Sequence, residues 1–95
     1  MDFDWNNPAF ELGQPLSAQD IEGSFEDPFA VRLLPDSARF GVQARFFNFG
    51  RSASGTGIFS LYRANGRMNR VIFARPFTPE EQFFYQRKVT QMLAQ

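Results

Sequence analysis

The run from Asn69 to Tyr85 constrains this chain more than any other stretch. Asn69-Arg70-Val71-Ile72-Phe73-Ala74-Arg75 reads as a strand that stops at Pro76. Thr78 then offers a side-chain oxygen as a helix cap, and Pro79 suits the first helical position. Glu81 stands where a capping box needs its carboxylate. The chain must therefore leave a sheet through Arg75 and enter a helix at once. An arginine at a strand exit, beside a helix N-terminus, is placed to hold an anion, which makes Arg75 the first candidate for a site.

The same reading extends upstream. Phe3 and Trp5 open a short edge strand ended by Asn6-Asn7-Pro8, and Ala9 to Leu12 suggest a helical turn. Ser17 starts a short helix with Ile21 and Phe25 on its apolar stripe, and Pro28 breaks it. Alternation predicts strands over Phe29–Leu34 and from Phe40 through Phe46, with a bulge where the Phe46-Phe47 doublet shifts the phase. Gly50 to Gly57 reads as a loop, Ile58 to Arg63 as a strand, and Asn65-Gly66 as the hairpin turn before Asn69. The last helix spans Pro79 to Leu93, with Tyr85, Val89, Met92 and Leu93 on one face. The expected architecture is a single α+β domain over residues 1–95: an antiparallel meander, short N-terminal helices and a longer C-terminal one.

Charge is sorted along the chain. The net charge is zero, yet residues 1–27 hold only acidic groups while residues 28–79 hold eight arginines against Asp36. Arginine's planar fork suits phosphate and carboxylate, so the second segment reads either as a solvated surface or as an arginine-bearing sheet that meets RNA or an acidic partner. The absence of cysteine and histidine removes disulfides, thiolate and imidazole metal sites, and histidine acid–base chemistry. No metal or cofactor is expected. The acidic N-terminus with no long apolar run argues against a signal peptide or membrane span, and points to the cytoplasm. Most of the 13 phenylalanines are expected in the core, whereas Phe83, off the main stripe of the last helix, and Phe77, before its cap, are candidates for an exposed partner contact or a hydrophobic staple.

Several segments, taken in order, resemble the BrnT-type toxins of bacterial toxin–antitoxin pairs, whose fold is RelE-like. Phe3-Asp4-Trp5 is similar to that family's opening, and Phe25-Glu26-Asp27-Pro28 to its F-D-D-P turn. Arg45 with Gly50, and Tyr62 with Gly66, are similar to its middle strands. Arg70-Val71-Ile72-Phe73-Ala74-Arg75 resembles its R-I-I-S-A-R strand, with Glu81 and Tyr85 at the spacing of its helix glutamate and tyrosine. The resemblance implies a metal-independent endoribonuclease and a cognate ribbon-helix-helix antitoxin, through which alone DNA would be bound. On that model Arg75, Arg70, Glu81 and Tyr85 are the catalytic candidates and Arg45 an RNA-binding one. Arg63, where the family has a threonine, and Arg67 are further RNA-binding candidates that restore charge near the turn, where Asn65 replaces the family's arginine. The family's lysine and His-Gly pair correspond here to Gly13, Gln14 and Pro15, so its usual general base has no counterpart. The alternative is a non-catalytic protein-interaction module on the same fold.

Residue spacing sets one further expectation. Arg70 and Arg75 are five apart, and in a regular strand they point to opposite faces. Glu81 has a competing role as a helix cap, and Tyr85 one as a core residue.

Overall fold

The computed structural model of the protein describes residues 2–6, 16–33, 45–65 and 68–94. Along the chain these form β1 (Asp2–Phe3), α1 (Ala18–Glu26), β2 (Val31–Leu33), β3 (Phe46–Arg51), β4 (Gly57–Asn65), β5 (Met68–Pro76) and α2 (Pro79–Leu93). The strands make one sheet in the order β1-β5-β4-β3-β2. Strands β2 to β5 meander antiparallel, as the turn residues imply, but β1 joins β5 in parallel, so the sheet is mixed. The architecture is α+β, with the longer helix at the C-terminal end.

The two helices cover opposite faces. Successive residues of β4 alternate, so Ile58, Ser60 and Tyr62 face one way and Phe59, Leu61 and Arg63 the other. On the first face lies α1. Ser17 caps it by accepting from the Asp20 backbone N–H, and the Asp20 carboxylate returns to Ser17. Its stripe of Ile21 and Phe25, with Leu16, buries against Ile58, Tyr62 and Val71. Close approach to β3 depends on Gly50, where a Cβ would overlap the Ser24 carbonyl. Asn48 donates to that same carbonyl at 3.3 Å, and Arg32 donates to the Phe25 carbonyl at 2.5 Å near the helix end. Trp5 donates to Glu22 at 2.7 Å and ties the N-terminal edge to the helix.

On the other face lies α2. The Thr78 hydroxyl accepts from the Glu81 N–H, and Glu81 reaches back to the Thr78 N–H at 2.8 Å, so the capping box forms as its spacing predicts. Tyr85 is buried here with Val31 and Phe49, among Phe29, Phe47, Phe59, Phe77, Phe84 and Val89. The stripe is covered only in its first turns, because Met92 and Leu93 are exposed, contrary to expectation. No helix among the described residues is long and apolar enough to cross a membrane.

Other boundaries differ for local reasons. Asp27 accepts from the Phe29 and Ala30 N–H groups, which holds Pro28 and Phe29 in a turn and delays β2 to Val31. Strand β3 runs on through Gly50 to Arg51, so the loop is shorter than the glycine and serine content suggests. Asn65 pairs with Met68 as the last pair between β4 and β5, and Gly66 of the expected Asn65-Gly66 turn lies outside the described residues. The expected turn over Ala9–Leu12, the strand from Phe40 to Ala44, and Arg67 lie outside the described residues.

Candidate nucleic-acid interface

The expected bulge exists, but in a different strand. Phe46 to Arg51 pair with Tyr62 to Gly57 in one unbroken register, so Phe46-Phe47 is regular. The slip lies between Leu61, which pairs with Phe73, and Tyr62, which pairs with Val71, leaving Ile72 as the extra residue of β5. An extra residue reverses the side-chain phase beyond it. Arg70 pairs with Arg63 and Arg75 with Phe59, and those two partners share a face of β4. Arg70 and Arg75 therefore lie on the same face, which corrects the expectation drawn from their spacing.

Read across the strands, that face is built in rows. Val31, Phe49, Phe59 and Arg75 form one row, which α2 roofs at its apolar end. Leu33, Phe47, Leu61 and Phe73 form the next, with Leu33 40 % and Phe73 43 % exposed. In the third, Arg63 pairs with Arg70, and the exposed Arg45 stands one residue before β3, where the register continued past Phe46 would set it beside Arg63. Neighbouring strands are about 4.8 Å apart and alternate residues about 7 Å, so arginines and apolar side chains repeat on a scale that matches nucleotides. At the β5 edge Arg70 donates to the Asn6 carbonyl at 2.8 Å and lies 3.8 Å from Asp4.

Arg75 is built differently from that row. Its two terminal nitrogens donate to the two oxygens of Glu81 at 2.5 and 2.8 Å, a bidentate pair, and its guanidinium stacks 4.7 Å from the Phe59 ring centre. Burial alone would raise the Glu81 carboxyl, but hydrogen bonds from Arg75 and the Thr78 backbone outweigh it and leave it below its ordinary value. The hydrogen bond to Glu81 in turn raises Arg75. Glu81 is thus an ionised cap and counter-ion together, and both arms of Arg75 are engaged.

Tyr85 belongs to another cluster. Its hydroxyl donates to Asp27 at 2.5 Å, and Asp27 also accepts from the Arg51 N–H at 2.8 Å. The Arg51 guanidinium sits 5.1 Å from the Tyr85 ring centre. Burial, then the hydrogen bond to Asp27, push the Tyr85 hydroxyl up to about 12. These residues, with Ser52 and Gly23, line an open cleft of about 500 Å³ between the end of α1, the β3–β4 loop and α2. Asp27 and Arg51 were not singled out from the sequence. The signal for Asp27 was its place before Pro28, at a helix end that must turn. Of the two phenylalanine candidates, Phe83 is 74 % exposed, as expected. Phe77 instead packs over Gly57 and beside Tyr85, because its N–H pairs with the Gly57 carbonyl and draws the ring inward.

Of the sequence candidates, Arg63, Arg70 and Arg75 therefore come together on one face, with Glu81 attached through Arg75 and Arg45 exposed just before β3, while the Tyr85 hydroxyl is committed to Asp27. No metal-binding cluster of acidic groups occurs among the described residues. Compared with protein-family models, curated proteins and solved structures, the chain matches none.

Proposed function

We propose that this chain is the toxin-type member of a BrnT-like toxin–antitoxin pair, and that it engages RNA in the cytoplasm through the open part of the sheet face under α2. The observation that carries this reading is the row of Arg45, Arg63 and Arg70 beside the half-exposed row of Phe47, Leu61 and Phe73. Arginines supply sequence-independent attraction for phosphates, and an exposed aromatic offers unpaired bases a stacking surface. A single-stranded nucleic acid presents both, and the toxin-type reading selects RNA. A ribbon-helix-helix antitoxin would cover the toxin and carry any contact with DNA.

Cleavage by the RNA's own 2′-hydroxyl needs a base for its proton, positive charge on the phosphorane and an acid for the leaving oxygen. Solvent water protonates the leaving 5′-oxygen, while Arg75 supplies the charge at the edge of the face and Glu81 the carboxylate that takes the 2′-hydroxyl proton. Their mutual pairing must open before Glu81 can take a proton. The test is expression without an antitoxin together with incubation of the purified protein with single-stranded RNA. Growth arrest, salt-dependent binding and cleavage lost in Arg75→Ala and Glu81→Gln are expected. Intact RNA and harmless expression would remove the nuclease claim, and binding indifferent to salt would remove the RNA claim as well. The closed Arg75–Glu81 pair and the exposure of Phe83 favour a second reading, a non-catalytic module that binds an acidic protein. Capture of such a partner without RNA binding would establish it.

A further inference from the structure

We infer that Arg63 is the anchor of a phosphodiester subsite, with Arg45 and Arg70 as its flanking arms; the inference rests on the RNA-face reading and locates its central contact. Arg63 is the middle member of the arginine row, opposite Arg70 in β5 and beside Arg45 before β3. Like charges directly opposite one another destabilise a sheet. At the outer edge that cost is offset, since Arg70 has Asp4 and the Asn6 carbonyl. In the middle it is not. The Nε of Arg63 is shielded from solvent and has no hydrogen-bond acceptor among the described residues, although the residue as a whole is only half-buried.

A shielded guanidinium nitrogen without an acceptor is costly to leave unpaired, and an anion that reaches it as neighbouring side chains move aside would relieve that cost. The acceptor must be negative, because it has arginines on both sides. It must also offer at least two oxygens, because Nε and a terminal nitrogen of one guanidinium make a fork. A phosphodiester meets both conditions, and a nucleotide's base would then fall toward Phe73 and Leu61 in the adjacent row. Arg75, whose fork is already filled by Glu81, is not the anchor.

The experiment follows the Nε–Hε resonance of Arg63 in the ¹⁵N-labelled full chain, assigned by its loss in Arg63→Lys. Inorganic phosphate and a short oligouridylate are titrated in parallel, with RNA affinity measured as a function of salt. Both probes should shift the Arg63 signal, and inorganic phosphate should leave that of Arg75 in place. Arg63→Gln should weaken RNA binding about tenfold and lower the salt slope by about one. Arg63→Lys should restore the slope but not the full affinity, since an ammonium lacks the fork. RNA binding with an unmoved Arg63 signal, or with Arg63→Gln at wild-type affinity, would overturn the subsite and leave the RNA reading standing. A shift with phosphate alone, and no RNA affinity, would support the subsite and remove the RNA reading. A silent Arg63 signal with both probes would overturn it.

Discussion

The two faces of this sheet are made from alternate residues of the same strands, yet one is finished and the other is not. Under α1, every strand from β5 to β3 contributes to a closed layer, and even its polar members, Asn48 and Ser60, are fully buried. Under α2 the helix roofs one row, leaves a second half-exposed, and does not reach the arginine row. Burial on the first face has spent its apolar surface on stability. The second keeps apolar and cationic groups in contact with solvent, where a ligand can reach them.

The largest effect separating the faces should come from the closed one. Ile58 is fully buried beneath α1, so Ile58→Ala should cost about 2–5 kcal/mol through lost burial and a residual cavity. Urea unfolding followed by circular dichroism measures it, as a lower midpoint at unchanged slope. A loss within about 0.5 kcal/mol would mean that the α1 layer is as loosely held as the open rows.

The start of each helix, one on either face, was legible in the sequence, and the reason is local. Ser17 with Asp20 and Thr78 with Glu81 are caps whose chemistry acts within three residues, so they form as read. The face of the arginines was not legible, because it depends on one extra residue at Ile72. That bulge is set by pairing with β4, and Phe46-Phe47 offered a more conspicuous but false break in alternation. Once it is placed, three separately chosen arginines, Arg63, Arg70 and Arg75, fall on one face. The commitment of the Tyr85 hydroxyl was hidden for a similar reason, since Asp27 lies 58 residues away in sequence.

An intermediate effect belongs to the bond that fastens the roof. Tyr85 on α2 donates to Asp27 beyond α1, across the sheet's edge from one layer to the other. Tyr85→Phe should cost about 1–2 kcal/mol, with Asp27 still accepting from the Arg51 N–H. The pH dependence supplies a second readout. The folded-state hydroxyl is pushed up to about 12, against about 10 for an unfolded chain. Its contribution is therefore complete below about pH 10 and is lost as pH rises toward 12, because only the folded chain retains the proton in that window. Burial also raises Tyr62, so the alkaline limb will fall in both proteins, but it should fall less steeply in Tyr85→Phe. Superimposable limbs would show that the hydroxyl does not hold the roof.

The smallest effect on stability, and the most telling for the comparison, is expected at Phe73. It occupies the half-exposed row beside Leu61, and the residue remains 43 % exposed. Surface truncation of this kind should change stability by only about 0.5 kcal/mol, an order below Ile58→Ala on the opposite face. Its consequence for RNA should be larger than its consequence for folding. Base–aromatic stacking contributes about 1–3 kcal/mol per base, so Phe73→Ala should weaken binding to a short single-stranded RNA by roughly five- to a hundredfold. Because the substitution removes no charge, the salt slope should stay where it was, in contrast to Arg63→Gln. That separation decides what the open row is for. Loss of affinity with the slope intact identifies it as a stacking surface beside a phosphate row, whereas equal losses of stability and affinity would make Phe73 a core residue whose roof is incomplete.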